Sequence, residues 1–206
     1  TLPSNLGLCV CDYIDFVLVF DESIGAHVIL AEARLSAYET DKTLTPVEQM
    51  KGSTLAGLKY KPLFPYFAEQ EDLGAFQVLV DDYVTTEAGT GIVHQAPAFG
   101  EDDFRVFKAA GVTAMACPVD MAGQFIAPVT DFEGLHVKEA DRQIIRHLKD
   151  QGSLYRQEVI QHSYPFCPRS DTPIIYRTID SWYVKVEEHR DKLTRLNEQI
   201  HWVPEH

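Results

Sequence analysis

Positive charge is scarce in this chain: 18 Lys and Arg stand against 31 Asp and Glu over 206 residues, a formal net charge of -13 with His neutral. Neutralising a nucleic-acid backbone takes clustered Lys and Arg, so this balance argues against a protein that lives on phosphate contacts alone. An RNA substrate would have to be gripped mostly by other means. Long apolar runs are lacking as well; none reaches the about 18 residues that a membrane-spanning helix needs. Thr1-Leu-Pro-Ser-Asn5 has neither an initiating Met nor a basic segment, so no signal peptide is marked, and both ends read as boundaries within a longer chain. Cysteine is sparse, at positions 9, 11, 117 and 167, with no C-x-x-C pair. Cys9 and Cys11 should share one face of a strand. Buried free thiols in a reducing compartment are the better reading than metal ligands or disulfides. A phosphate cradle is missing too: Gly89-Thr-Gly91 lacks the third glycine of a dinucleotide fingerprint, and no G-K-[ST] follows.

What is present is ordinary core material. Hydrophobic residues make up 45% and aromatics 11% of the chain, enough for one large domain or two small ones and far from a disordered composition. Val, Ile, Leu, Cys and Phe crowd residues 6–20, predicting a strand or two. Asp21-Glu-Ser-Ile-Gly25 has turn chemistry, and 27–35 reads as a returning strand. Thr45-Pro-Val-Glu-Gln49 has the spacing of a short capped helical turn. Residues 58–67, broken by two prolines, read as an extended edge or a loop anchored by its aromatics. Strands are predicted at 75–80, 90–94, 154–161 and 174–186. Helices are predicted at 101–110, closed by Gly111, at 137–151, closed by Gly152, and at 187–200. Short strands dominate and no βαβ rhythm appears. The expected fold is therefore β-rich mixed α/β: a β-barrel-like core with peripheral helices, in a single domain.

The segment from Thr85 to Phe104 carries the chemistry. Gly89 and Gly91 let the backbone approach another chain or a ligand, a buried strand delivers His94 to its end, and Pro97-Ala-Phe-Gly100 reverses the chain. A helix then opens on Glu101, Asp102 and Asp103. An imidazole opposite a carboxylate, beside free N–H groups at a helix start, can hold an ammonium, shape a side-chain pocket and orient water. Spacing alone equally allows a hydrogen-bonded core histidine followed by an acidic helix cap.

Gly89-Thr-Gly-Ile-Val-His-Gln-Ala-Pro-Ala-Phe-Gly-Glu-Asp-Asp103 resembles the signature of the connective-peptide editing domain of class I aminoacyl-tRNA synthetases for isoleucine, valine and leucine. Thr1-Leu-Pro-Ser-Asn5 resembles the end of that family's threonine-rich peptide, T-T-P-W-T-L-P-x-N, which forms one wall of the editing pocket. Lys59-Tyr-Lys-Pro-Leu-Phe-Pro-Tyr-Phe67 and His162-Ser-Tyr-Pro-Phe-Cys-Pro-Arg-Ser-Asp-Thr-Pro-Ile-Ile-Tyr-Arg177 resemble the isoleucine branch in its cytoplasmic eukaryotic form. Ser181-Trp-Tyr-Val-Lys-Val186 and Trp202-Val-Pro-Glu-His206 continue the match.

The resemblance implies hydrolysis of valine misattached to isoleucine tRNA, and leaves open whether valyl-adenylate is a second substrate. Asp103 matches the carboxylate that binds the α-ammonium, and His94 the residue that admits valine and rejects isoleucine. Thr1 matches a position near the scissile ester or its water, Asn5 flanks the same wall, and Phe99 and Tyr164 are pocket-lining candidates. The resemblance also implies attack by an oriented water helped by a ribose hydroxyl of the tRNA, without a protein nucleophile, which suits a sequence with no evident Ser–His–Asp set; no metal set is evident either. Within the domain the resemblance marks 1–5 as the end of the threonine-rich peptide and 85–110 as the catalytic strand, loop and helix. Residues 187–206 become the last helix and the start of a return to the synthetic core. The domain itself takes no cofactor; ATP and Mg belong to the parent enzyme, and the H-I-G-H and K-M-S-K-S motifs of synthesis are absent from this sequence. The expected partners are the tRNA acceptor end and the rest of the synthetase, in the cytoplasm, as a monomer. Lys59, Lys61, Arg169 and Arg177 are candidate phosphate contacts, with a solvated surface the commoner role for each. Arginine and serine follow Pro168 where bacterial relatives often carry a second Cys near Cys167, which weakens a zinc reading. Two alternatives stand beside this one: a valyl- or leucyl-type editing domain, and a non-catalytic insertion that binds the tRNA end.

Overall fold

Two three-stranded sheets organise the chain in the computed structural model, which describes residues 2–40, 43–159, 161 and 163–203. In the first, β1 (Gly7–Val10) lies between β5 (Gln77–Val80), to which it is parallel, and β6 (Val93–Gln95), to which it is antiparallel. In the second, β2 (Asp15–Asp21) lies between β3 (Ala26–Ala31) and β4 (Leu44–Lys51), all antiparallel. Side-chain alternation explains how the layers stack. Leu8 and Val10 of β1 face Phe16, Ile29 and Ala31 of the second sheet, whereas Val17, Val19 and Leu30 face the other way, under Tyr38 and Tyr155. Cys9 turns toward the helical layer. The β2–β3 turn closes as its composition predicts: buried Asp21 accepts from the Ser23 backbone N–H at 2.9 Å, and Gly25 takes φ +63°.

Helices α1 (Leu35–Glu39) and α2 (Gly52–Leu55) are short. The longer α3 (Glu101–Ala109) and α4 (Val137–Asp150) follow the sequence reading closely. On α4 the buried residues Ala140, Ile144 and Leu148 recur every four positions, which places one stripe on the core. That core also takes Phe64, Phe67, Phe76, Val106, Phe107, Phe125 and Phe132. The aromatics of the proline-broken stretch thus anchor a loop, which pairs with the first sheet through an antiparallel bridge from Lys59 to Gln77 and packs Phe64 and Phe67 into the same core as Cys9 and Leu79. A 3-10 turn at Val186–His189 leads into α5 (Arg190–Asn197), so the last predicted helix forms in two pieces.

Three expectations change. The β-barrel-like core is not found: among the described residues the sheets stay separate and no barrel closes. Closure needs one continuous, staggered ladder, and a β6 of three residues cannot supply its share. The helical turn at Thr45 is instead the start of β4, where Pro46 is tolerated because β4 is an edge strand and the ladder shifts register opposite Leu18 and Val19. The strands predicted at 154–161 and 174–186 do not form among the described residues, Ile160 lying outside them. Val159 is 94% exposed and Trp182 fully so; β-forming side chains without a neighbouring strand or a buried face have nothing to hold them in a ladder.

The glycine pair before β6 yields a prediction. Gly91 has φ +77°, and a Cβ there would lie 2.6 Å from the Ala31 Cβ; Gly89 has φ +63° with open space around it. Gly89→Ala should cost about 1–2 kcal/mol from the left-handed backbone alone. Gly91→Ala should cost about 1–3 kcal/mol more, because β3 must be displaced. Urea unfolding of both variants checks the order; equal losses would mean the contact with Ala31 is not a tight one.

Candidate functional site

The site is built outward from the ladder between β1 and β6, in which Leu8 pairs with His94 and the Leu6 N–H donates to the Gln95 carbonyl at 3.0 Å. That pairing carries Asn5, two residues ahead of β1, over the His94 ring. The Asn5 Nδ2 donates to the Gly7 carbonyl at 2.8 Å and meets His94 Nδ1 at 2.9 Å, while Tyr60 Oη donates to Asn5 Oδ1 at 2.5 Å. Burial pushes the pKa of His94 down to about 4, so the ring is neutral at pH 7.

Beyond β6 the chain turns at once, with the Phe99 N–H donating to the Ala96 carbonyl at 2.9 Å, and α3 begins after Gly100. Its three acidic residues do different things. Glu101 is exposed. Asp102 accepts from Arg105, whose guanidinium also grips both oxygens of Asp81 at 2.8 Å. Asp103 turns inward and its Oδ2 accepts from the Ala96 N–H at 2.8 Å. A Cβ on residue 100 would come within 2.8 Å of that oxygen, so glycine makes the room for it. Desolvation holds the Asp103 pKa above its ordinary value, opposed by the Ala96 N–H and the Tyr83 hydroxyl. His94 and Asp103 are therefore both tied to the last turn of chain around β6, one through Asn5 and the other through Ala96.

Phe99 and Tyr164 come together elsewhere. With Leu2, Ser4, Val119 and Phe125 they line an apolar cleft of about 430 Å³ that does not include Asn5, His94 or Asp103. Tyr164 donates to the Ile174 carbonyl at 2.9 Å and sits under the Lys138 ammonium. Thr1 lies outside the described residues, as does His162. This apolar cleft is thus separate from Asn5, His94 and Asp103, which are brought together by hydrogen bonds and not by a shared cavity.

Sequence reasoning missed Tyr60, Tyr83 and the Arg105–Asp81 pair. Tyr60 stands in a quoted stretch, but only the folded register brings it to Asn5, 55 positions away. Of the candidate phosphate contacts, Lys59 is paired with Glu71 at 3.1 Å, Arg177 donates to Met121 Sδ at 3.4 Å, and Lys61 and Arg169 are exposed. All four cysteines are free, Cys9 and Cys11 buried, and burial pushes Cys9 up to about 12. Among the described residues no group of three or more His, Cys, Asp or Glu is arranged to hold a metal, and no helix is long and apolar enough to cross a membrane.

No protein-family model matches the chain. It is 50% identical over 208 residues to an isoleucine–tRNA ligase of Bdellovibrio bacteriovorus, covering 100% of this chain and 20% of that protein. It is also 50% identical over 210 residues to the cytoplasmic isoleucine–tRNA ligase of Mus musculus, again covering all of this chain and 17% of that protein. The chain thus spans about a fifth of the length of the curated relatives it matches. A bacterial and an animal cytoplasmic ligase stand at the same identity, which supports the isoleucine branch without singling out its eukaryotic form. Among solved structures, GlLeuRS-CP1 shares the fold, with a TM-score of 0.58 at 16% identity over 77% of this chain and 82% of that one.

The burial of His94 has a measurable consequence. Its folded-state pKa, about 4, lies below the ordinary 6.5, so between those values the unfolded chain holds the proton more tightly. The stability contributed by neutral His94 is complete above pH 6.5 and is lost as pH falls toward 4, by roughly 3 kcal/mol in all. Asp103, with a raised pKa, works in the opposite sense and favours the fold as pH falls. His94→Gln should therefore lose less stability than the parent between pH 7 and pH 4.5 in urea titrations. Parallel losses would show that His94 is not held neutral by the fold.

Proposed function

The chain is homologous along its whole length to one segment of the isoleucine–tRNA ligases, and we propose that this segment is a hydrolytic editing domain that removes valine misattached to isoleucine tRNA. One observation carries the reading. The segment that resembles the end of the threonine-rich peptide is hydrogen-bonded at Asn5 to His94 of β6, and the backbone N–H of Ala96, the residue after β6, holds Asp103. A wall, a size-selecting ring and a carboxylate so arranged suit an amino acid presented on a long flexible ester.

Asp103 is the proposed anchor for the α-ammonium. A desolvated carboxylate with a raised pKa gains from a cationic neighbour, because the cation restores the ionised form that burial disfavours. His94 limits the pocket so that valine enters and isoleucine does not, with Thr1 and Asn5 forming the wall, while Phe99 and Tyr164, in the separate apolar cleft, are left out of that pocket. Water attacks the ester with help from a ribose hydroxyl of the tRNA, so positioning supplies most of the rate. The physical need is clear: one methylene is worth only about 1–3 kcal/mol of discrimination in an apolar pocket, a figure for which isoleucine against valine is itself the standard example. A second pocket supplies the rest. Valyl-adenylate fits the same recognition.

In this reading the segment needs no cofactor of its own, ATP and Mg serve the synthetic part of a cytoplasmic ligase, and the segment acts as a monomeric insertion. The tRNA acceptor end is brought by the remainder of the protein, which also covers the exposed Trp182, Tyr183, Val184 and Trp202. Residues 1–5, 85–110 and 187–206 are then the wall, the catalytic unit and the return toward the synthetic core. Identity near 50% to isoleucine enzymes, against 16% to the leucine-type fold relative, favours valine as the amino acid removed.

The test is single-turnover deacylation by the full-length ligase. Asp103→Ala should slow hydrolysis of valyl-tRNA at least about 100-fold, the scale of a lost positioning contact, with unchanged thermal unfolding. His94→Ala should begin to hydrolyse isoleucyl-tRNA, which the parent spares. An unaltered valyl rate in Asp103→Ala would remove the carboxylate from the chemistry and leave an insertion that only binds the tRNA end.

A further inference from the structure

Hydrogen-bond polarity around Asn5 fixes more than position. The carbonyl of Gly7 can only accept, so the Asn5 atom 2.8 Å from it is the amide nitrogen, Nδ2. The other amide atom, Oδ1, then faces the Tyr60 hydroxyl, which donates to it. A flipped amide would set an oxygen against the Gly7 carbonyl and a nitrogen against the tyrosine. With the amide oriented this way, the second hydrogen of Nδ2 has two acceptors in reach, His94 Nδ1 at 2.9 Å and the Gln95 carbonyl at 3.5 Å, of which the ring nitrogen is much the nearer, and an amide nitrogen cannot accept. His94 Nδ1 must therefore be the acceptor, without a proton of its own. A neutral imidazole that accepts at Nδ1 carries its hydrogen on Nε2.

We propose that Asn5 and Tyr60 are positioning residues that hold His94 as the neutral tautomer protonated at Nε2, so that the ring meets its ligand as a hydrogen-bond donor and not as a base. The ligand atom it recognises is then an acceptor oxygen, of an ester carbonyl or a ribose hydroxyl. Its identity rests on the editing reading above, whereas the tautomer does not. Burial of the ring works in the same direction, since a charged imidazole would need a proton on Nδ1 and would lose the Asn5 bond. Two residues far apart in sequence thereby set the polarity of a third: Tyr60 fixes the amide, and the amide fixes the ring.

The tautomer is read directly from two-bond 1H–15N correlations of the His94 ring in the 206-residue chain at neutral pH, without substrate. The parent should show an unprotonated Nδ1 and a protonated Nε2. Asn5→Asp places an acceptor where the donor was, and should move the proton to Nδ1 or charge the ring. Tyr60→Phe frees the amide, and should shift the Nδ1 signal toward the average of the two tautomers while the methyl fingerprint of the core is unchanged. A parent ring protonated at Nδ1, or an Asn5→Asp ring indistinguishable from the parent, would overturn the proposal. An unmoved signal in Tyr60→Phe would strike Tyr60 from it. Because deacylation by the full ligase is measured separately, loss of the tautomer would leave the editing reading standing, and loss of editing would leave the tautomer.

Discussion

Leu8 faces His94 across the antiparallel ladder of β1 and β6, and the rest of the site depends on that register. A strand has a side-chain period of two, so a slip of one residue would turn His94 into the core and bring Gln95 out. The cost of such a slip is set by what β1 buries: its neighbours on one face are the second sheet and on the other the helical layer. Gly7 adds a local constraint. A side chain there would lie 2.8 Å from the Phe107 ring, so α3 can pack against β1 only because that position is bare. The same helix that this contact seats carries Asp103, and the distance between the two chemistry-bearing elements is therefore a packing dimension of the core.

Charge is sorted with equal care along the first turn of α3. A helix start attracts carboxylates in general, yet only one of the three is drawn in. Arg105 pairs with both exposed Asp102 and half-buried Asp81, which keeps the neighbouring negative charge compensated while Asp103 occupies the Ala96 N–H. Without that arginine three carboxylates would compete for one partially positive end. The arrangement leaves a neutral imidazole on β6 and a desolvated carboxylate bound to the N–H just after it, two groups whose environments move them toward the uncharged form from opposite sides. In the proposed reaction the substrate's ammonium supplies the missing cation and the water is oriented by donors and acceptors that do not change charge.

Local elements with their own closing signals were legible in the sequence. The α3 and α4 helices, the turn at Asp21 and the glycines at 89 and 91 follow from spacing and residue type. Other elements required the partner to be known. Thr45-Pro46 has helix-start chemistry, but β2 recruits it as an edge strand, and tertiary pairing outweighs a weak local preference. The segments at 154–161 and 174–186 have strand composition and no strand beside them. Barrel closure was expected from the abundance of short strands, but strand count says nothing about whether two edges meet. For the site, His94 and Asp103 stood out because they share one continuous stretch, whereas Tyr60 and Tyr83 enter it only through folding.

The proposed editing of an RNA end by an acidic domain is less paradoxical in this light. Affinity from phosphate contacts would require the basic clusters this chain lacks, and the lysines and arginines first suspected are paired or simply exposed. A segment that spans a fifth of its relatives has no need to win the tRNA by itself. If the remainder of the ligase delivers the acceptor end, the local concentration is set by that delivery, and the domain has only to distinguish what hangs from the ester. Discrimination by a neutral donor, a buried carboxylate and apolar walls is insensitive to overall charge. In the proposed reaction a net negative surface would even favour release of the RNA once the amino acid is gone, because repulsion acts equally on aminoacylated and free tRNA while the proposed ammonium contact with Asp103 would hold only the former.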